Sequence, residues 1–163
     1  MAYPSWLYPV LQGATTMWER WNSYTIENGF GPVDMNSFNH YAYGAIEEWM
    51  FSYSLGIQRD EDNPGYKHII LQPKISGEMT SASGFFESPY GKISSGWEKI
   101  PLGGYIYRVS IPANTTASLI LAAPSVKSVL ILQGKDGVAP MKFSAGKVMS
   151  NLKSGTYEFE VKK

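Results

Sequence analysis

The chain has 163 residues, 14 acidic and 14 basic side chains, and a hydrophobic fraction of 44%. This length and apolar content are enough for one large domain, or for a small domain with an appended segment. Zero net charge argues against a nucleic-acid or anionic-membrane partner, and the absence of cysteine excludes disulfides. No apolar run approaches the roughly 18 residues of a membrane span. The first residues lack the basic and apolar blocks of a signal peptide.

Charge divides the chain into two regions near Pro64. Residues 1–65 carry eight acidic and two basic side chains, whereas residues 66–163 carry six acidic and twelve basic ones. Net charges of opposite sign and equal size indicate two different structural units. We predict a helical segment over residues 1–63 and a separate domain over residues 64–163.

The first region has the pattern of two helices joined by a loop. Residues 5–12 are predicted as a helix, and residues 22–35, which hold glycines and a proline, as a loop. Asn36 or Ser37 is the predicted cap of a second helix that ends just before Gly56. Its apolar stripe repeats at helical spacing: Ala42, Ala45, Ile46, Trp49, Met50 and Tyr53. Two helices and a loop cannot bury this many aromatic side chains alone, so we expect the segment to belong to something larger.

The second region has the pattern of short β-strands. Apolar and polar side chains alternate over residues 105–111 and 157–162, which puts one face of each strand in a core and the other in water. Further strands are predicted at 68–72, 83–87, 92–99, 117–122, 126–132 and around 142–143. Turn residues recur every 8–12 positions between them. This spacing predicts antiparallel strands in two packed sheets.

The strongest chemical candidate lies in residues 13–21. Glu19 stands between Trp18 and Trp21 and next to Arg20. In a site that processes sugars, flat apolar rings pack against pyranose C–H groups while a carboxylate activates water. The alternative is an aromatic core turn with a solvated Glu19–Arg20 pair, which is the commoner arrangement in proteins.

His40 is the second candidate, because it lies in a polar segment, residues 35–41, at the predicted start of the second helix. Free N–H groups at a helix start, together with Asn and His side chains, can reach a ligand. An ordinary helix cap is the alternative. No HExxH, CxxC or paired-histidine spacing is present, so the sequence predicts no metal site and no cofactor.

Several short motifs follow one another along the chain in a specific order. They are YPSW at 3–6, GATTMWERW at 13–21, NSFNHYAYG at 36–44, PGY at 64–66, SPYGKI at 88–93 and IPANTTA at 111–117. Together they closely resemble the C-terminal part of bacterial α-L-rhamnosidases, in which a barrel of six helical hairpins is followed by a β-sandwich. The resemblance implies an antiparallel β-sandwich over residues 64–163. It also implies that residues 1–63 are the last helices of an (α/α)6 barrel.

The resemblance also implies a reaction and the residues that perform it. The family removes terminal α-L-rhamnose from glycans or glycosides with inversion, through a general acid and a general base. Glu19 matches the general base, and His40 and Asn39 match residues that bind the substrate. Trp18 and Trp21 would be wall or support residues of the same site. The general acid of the family lies upstream in a motif that this chain lacks, so we expect the isolated chain to be inactive.

Other functions stay open on the sequence alone. The β domain is either a sugar-binding module, with Trp97 or Tyr90 as exposed platforms, or a purely structural accessory. A glucoamylase-like or trehalase-like glycosidase would have a similar helical barrel. Residues 1–60 hold more apolar surface than two helices can cover, so self-association is expected. No nucleic-acid or membrane partner is predicted. The bacterial parent protein would be periplasmic or cytoplasmic, and the sequence does not distinguish these compartments.

Overall fold

A computed structural model describes residues 3–101 and 103–163, so Met1, Ala2 and Leu102 lie outside the description. The chain forms two compact units, Met1–Trp49 and Met50–Lys163. This structural division lies ahead of residue 63, because the strand Ile57–Arg59 pairs with His68–Leu71 inside the second unit.

The first unit contains short elements. They are helix α1 (Leu7–Leu11), strands β1 (Tyr24–Thr25) and β2 (Gly29–Phe30), 3₁₀ turns at Val33–Met35 and Ala42–Ala45, and helix α2 (Ile46–Trp49). β1 and β2 pair antiparallel within the stretch predicted as a loop. The predicted cap at Asn36 or Ser37 is wrong, since the helical run that leads into α2 begins only at Ala42. A helix cap would use its carbonyl to accept the first bond of the helix, but the Ser37 carbonyl accepts from the Glu19 N–H instead.

The second unit opens with a π-helical turn, Met50–Ser54, in which the Leu55 N–H donates to the Met50 carbonyl at 3.0 Å. Gly56 follows with a φ of +74°, a conformation that favours glycine. The predicted end of the helical run just before Gly56 is therefore confirmed.

The described residues of the second unit form two five-stranded sheets. Their strands are β3 (Ile57–Arg59), β4 (His68–Leu71), β5 (Ser81–Ser88), β6 (Gly91–Lys99), β7 (Gly104–Ile111), β8 (Thr116–Ala122), β9 (Val129–Gln133), β10 (Lys142–Ser144), β11 (Lys147–Leu152) and β12 (Gly155–Lys162). Short 3₁₀ turns lie at Pro64–Tyr66, Val126–Ser128 and Lys135–Gly137. One sheet has the order β10-β11-β8-β4-β3, and the other has the order β5-β6-β7-β12-β9.

The predicted fold class, a β-sandwich preceded by a helical segment, is confirmed, with one correction. β4 and β8 run parallel, whereas all other paired strands in the two sheets are antiparallel. A parallel pair needs a long crossover connection. Here the chain leaves β4, forms β5, β6 and β7 in the other sheet, and returns as β8. The first sheet is therefore mixed.

The core lies between the sheets, because both contribute side chains at every second strand position. Tyr107 and Phe159 of one sheet and Leu119 and Leu121 of the other are at most 1% exposed and belong to one apolar cluster. Burying each such side chain contributes about 1.5–3 kcal/mol. The apolar contact between the sheets is thus the main source of stability in this unit.

Trp97 belongs to this core and is not a surface platform. It is 3% exposed, and its indole Nε1 donates to the Ser54 carbonyl at 2.7 Å. The hypothesis that Trp97 binds sugar is therefore wrong, since alternation along β6 turns its ring inward. Tyr90 is 41% exposed, and the Lys67 ammonium lies 5.1 Å from the centre of its ring.

We predict that the second unit loses stability at alkaline pH, because Tyr105 and Tyr107 are buried. Burial raises the pKa of Tyr107 and of Tyr105 above the value of about 10 found in unfolded chains. Above pH 10 the unfolded chain releases these protons and the folded chain keeps them. The free energy of unfolding should then fall by up to about 1.4 kcal/mol per pH unit for each tyrosine.

Urea titrations at several pH values would measure this slope. Tyr107→Phe is expected to reduce the fall in the free energy of unfolding with pH by the contribution of one proton, because phenylalanine has no hydroxyl to ionise. An unaltered slope in Tyr107→Phe would contradict the prediction.

Candidate functional site

Two segments of the first unit lie side by side and bring the main candidates together. The Glu19 N–H donates to the Ser37 carbonyl at 2.9 Å, and the His40 N–H donates to the Met17 carbonyl at 2.8 Å. The Thr16 hydroxyl also donates to the Phe38 carbonyl in the facing segment. These bonds join residues 16–19 to residues 37–40. Glu19 and His40, which are 21 positions apart in the sequence, therefore belong to one local structure.

The Glu19 carboxylate is held by a backbone donor. Its Oε2 accepts a hydrogen bond from the Ser37 N–H at 2.8 Å, and the residue is half-buried. Because Ser37 also accepts from the Glu19 N–H, the two residues form a reciprocal pair. An ionised carboxylate offers about four acceptor sites on two oxygens. This contact therefore fixes the orientation of the group and leaves capacity to accept a proton from water.

Ser23 anchors the loop that carries Ser37. Ser23 is fully buried, and its carbonyl accepts from the Asn36 Nδ2 and from the Gly31 N–H, each at 2.9 Å. Its hydroxyl accepts from the Arg20 N–H at 3.2 Å. Ser23 thereby connects Asn36 to Arg20, the residue that follows Glu19. Nothing in the sequence indicates this role of Ser23, because a buried serine has no distinguishing pattern.

Two polar atoms beside this anchor have no hydrogen-bond partner among the described residues. They are Arg20 Nε, a donor, and Asn36 Oδ1, an acceptor, and both are buried. A Cβ on Gly31 would lie 3.1 Å from Asn36 Nδ2 and 3.5 Å from Arg20 Nη2. The small residue at position 31 therefore leaves room for the side chains of Arg20 and Asn36.

The His40 ring is oriented by its own backbone. The Ala42 N–H donates to His40 Nδ1 at 3.2 Å, so the neutral ring carries its proton on Nε2. The ring stacks on the neighbouring Tyr41, with centroids 5.2 Å apart. Nε2 is thus the atom that can donate to a ligand. Asn39 is exposed, and its N–H donates to the Ser37 hydroxyl at 3.1 Å.

The two predicted tryptophans lie in different surroundings. Trp18 is 6% exposed and contacts Phe38 edge-on, with ring centroids 5.3 Å apart. Trp21 stacks on Tyr43 at 4.0 Å and 12°, and meets Trp6 edge-on at 5.1 Å. The burial of Trp18 fits a support role. Trp21 belongs to an aromatic cluster that is only partly covered.

The first unit exposes many large apolar side chains. Val33, Tyr41, Ile26 and Phe30 are between 73% and 97% exposed. A small unit that exposes this many large apolar side chains normally contacts another part of a protein. The apolar stripe predicted on the second helix is partly exposed as well, since Trp49, Met50 and Tyr53 are about half accessible.

Residues 3–101 and 103–163 contain no group of three metal-ligating side chains close enough to hold an ion. Across the same residues, no helix has the length and apolar character needed to span a membrane.

Comparison with known proteins agrees with these features. Residues 1–54 match the bacterial α-L-rhamnosidase six-hairpin glycosidase domain, and residues 56–132 match the bacterial α-L-rhamnosidase C-terminal domain. An α-L-rhamnosidase of Formosa agariphila is 42% identical over 98% of this chain, which covers 17% of that protein.

Solved structures give the same result. The structure of Streptomyces avermitilis α-L-rhamnosidase complexed with L-rhamnose superimposes with a TM-score of 0.84 and 37% identity, over 99% of this chain and 15% of that one. Native α-L-rhamnosidase from Aspergillus terreus gives a TM-score of 0.76 and 30% identity, over 98% of this chain and 16% of that one.

The fold and the matched domains define the class: part of a six-hairpin glycoside hydrolase joined to a β-sandwich domain. The chain belongs to the bacterial α-L-rhamnosidase family. It spans about one sixth of the length of the relatives it matches.

Proposed function

We propose that this chain is part of an inverting α-L-rhamnosidase in which Glu19 is the general base. In an inverting glycosidase, the base removes a proton from the water that attacks the anomeric carbon, while an acid protonates the leaving oxygen on the opposite face. The two carboxyl groups are then about 6.5–9.5 Å apart. Glu19 supplies one of them, and the acid belongs to a part of the protein outside this chain.

The reciprocal pairing of Glu19 with Ser37 is the observation that supports this role. A general base must keep its orientation as its proton load changes, and the Ser37 N–H at 2.8 Å limits rotation of the carboxylate. The backbone bond between His40 and Met17, at 2.8 Å, keeps the imidazole on the facing segment of the same unit. In the proposed site His40 Nε2 donates to a hydroxyl of rhamnose, and Asn39 adds a polar contact.

The aromatic side chains have separate roles in the proposal. Trp21, stacked on Tyr43, forms an apolar wall for the C–H face of the sugar. Trp18, packed on Phe38, supports the segment that carries Glu19. The exposed apolar surface of the first unit is covered by the remainder of the helical domain in the complete protein. In the isolated chain this surface favours self-association.

The isolated chain is expected to show no rhamnoside hydrolysis, because it lacks the acid and most of the sugar pocket. Removing a general acid alone costs about 10²–10⁴-fold in rate, and loss of substrate positioning lowers the rate further. An assay of the 163-residue chain with an aryl α-L-rhamnoside would measure this. Turnover comparable to that of a complete rhamnosidase would contradict the proposal.

A segment exchange tests the proposal positively. The matching segment of the Streptomyces avermitilis enzyme would be replaced by this chain, which is 37% identical to it. We expect the exchanged protein to hydrolyse α-L-rhamnosides and to release β-L-rhamnose first, as ¹H NMR of the anomeric proton would show. A folded exchanged protein without hydrolysis, or one that releases α-L-rhamnose first, would overturn the proposal.

A further inference from the structure

The outer face of the sheet β5-β6-β7-β12-β9 carries a groove of about 450 Å³ in the second unit. Its floor is low because the residues that point outward are small. Gly96 pairs with Ser83 on one side and with Arg108 on the other. A Cβ on Gly96 would lie 3.1 Å from the Ser83 Cβ, so even an alanine would begin to fill the space. The volume is in the range of small-molecule sites.

Hydroxyl groups cross the floor of the groove in a row. Ser94 pairs with Ser110 across β6 and β7, and Ser110 pairs with Thr156 across β7 and β12. The Ser110 and Thr156 oxygens are 3.0 Å apart. Each hydroxyl can donate one hydrogen bond and accept two. A ligand with adjacent hydroxyls of its own can therefore pair with this row in either direction.

Arg108 forms one wall of the groove. Its Nη1 donates to Glu98 at 2.8 Å and its Nη2 to Glu158 at 3.3 Å, while about half of its side chain is exposed. A guanidinium has five N–H groups, and these two contacts use one from each terminal nitrogen. Since two carboxylates accompany the single cation, the local charge does not favour an anion. A neutral ligand with hydrogen-bonding groups fits this wall better.

Phe85 extends the row of hydroxyls with an apolar surface. It pairs with Ser94 across β5 and β6 and is 52% exposed. The Lys92 ammonium lies 4.2 Å from the centre of its ring, a cation–π contact. An aromatic side chain next to hydroxyls matches the two sides of a pyranose, since the C–H groups of the sugar are apolar and its edges are polar.

We propose that this groove, lined by Ser94, Ser110, Thr156 and Arg108, binds a neutral saccharide of one or two pyranose units. Phe85, the cross-strand neighbour of Ser94, adds an apolar contact at its edge. The site lies in the β-sandwich and includes none of the residues proposed for hydrolysis. The groove would bind a glycan through side chains that take no part in the proposed hydrolysis. The proposal does not depend on the role of Glu19.

Titration of the 163-residue chain tests this site directly. L-rhamnose, D-galactose and D-glucose would be added separately while ¹H–¹⁵N spectra are recorded, with D-galacturonate as an anionic comparison. We expect saturable shifts in the amides of β6, β7 and β12 with at least one neutral sugar, and weaker shifts with galacturonate. No groove shifts with any neutral sugar up to the solubility limit, or stronger shifts with galacturonate, would overturn the proposal.

Two variants locate the binding. Ser110→Ile removes a hydroxyl and fills the groove with a side chain that strands tolerate, so the Kd should rise by about tenfold or more. Phe85→Ala should raise it by about three- to tenfold through loss of the apolar surface. Ser144→Ile places the same side chain at an exposed serine of the other sheet and should leave the Kd unchanged. Thermal melting would verify that each variant is folded.

Glu19→Ala separates this proposal from the proposed hydrolysis. Binding in the groove should be retained in this variant, with the same shifts in β6, β7 and β12. Shifts confined to residues 16–41 and lost in Glu19→Ala would assign the sugar to the first unit and overturn the groove proposal. Unchanged affinity in a folded Phe85→Ala variant together with a folded Ser110→Ile variant would do the same.

Discussion

Glu19→Gln in the exchanged Streptomyces avermitilis protein is expected to lower the rate of rhamnoside hydrolysis by about 10²–10⁴-fold. Glutamine keeps the shape of the side chain and can still accept a hydrogen bond from the Ser37 N–H, so the local structure should persist. It cannot take a proton from water. KM should change little, because the proposed role of Glu19 lies in the reaction and not in binding. Steady-state assays with an aryl α-L-rhamnoside would separate kcat from KM.

Azide provides a sharper measurement on the same variant. Azide is a nucleophile that needs no base, so it should restore cleavage in Glu19→Gln and form β-L-rhamnosyl azide, the inverted product. Glu47→Gln is the matched control, since Glu47 is an exposed carboxylate of the same unit. It should retain the parent rate within about twofold. A Glu19→Gln variant with full activity, or a loss of equal size in Glu47→Gln, would refute the assignment.

The candidate site could be predicted from the sequence only in part. The flanking tryptophans and the motif around His40 indicated the candidate residues and their family, because such side chains are distinctive. The Ser37 N–H that holds Glu19 had no signal, since every residue except proline carries such a donor. Ser37 even resembled a helix cap. Its pairing with Glu19 is a tertiary contact, and that contact overrode the local preference for a helix start.

The fold was predictable where strands are long and regular. β7 and β12 alternate strictly and were recognised, whereas β11 was not. In β11 the inward positions are Val148, Ser150 and Leu152, and the buried Ser150 hydroxyl is bonded to the Ala139 carbonyl at 2.7 Å. A serine at a core position breaks the apolar alternation on which strand prediction depends. β3 was also missed, because three residues are too short for a period to appear.

Gly56→Ala is expected to lower the free energy of unfolding of this chain by at least about 3 kcal/mol. The φ of Gly56 is +74°, which costs a residue with a Cβ about 1–2 kcal/mol. A Cβ there would also lie 2.1 Å from the Pro73 nitrogen and 2.4 Å from the Gln72 carbonyl carbon. Both neighbours are backbone atoms of the facing segment, so relief requires the main chain to move.

That movement would disturb a run of three consecutive carbonyl acceptors. Ser54 accepts from the Trp97 indole at 2.7 Å, Leu55 from the Ser95 hydroxyl at 2.6 Å, and Gly56 from the Gln72 N–H at 2.8 Å. These bonds fix the point where the π-helical turn ends and the first sheet begins. A shift at Gly56 would weaken all three, which is why the expected loss exceeds the cost of φ alone.

Gly146→Ala separates the cost of a positive φ from the cost of the contact between a Cβ and neighbouring backbone atoms. Gly146 has the same φ, +74°, but no atom lies within 4 Å of its Cβ position. It should therefore lose only the conformational cost of about 1–2 kcal/mol. Urea unfolding followed by circular dichroism would give both values, and the difference between them measures the packing of Gly56 on residues 72–73. If the two variants lose the same free energy of unfolding, the backbone at Pro73 moves away from the new Cβ at no measurable cost. In that case the three carbonyl bonds do not fix the start of the sandwich.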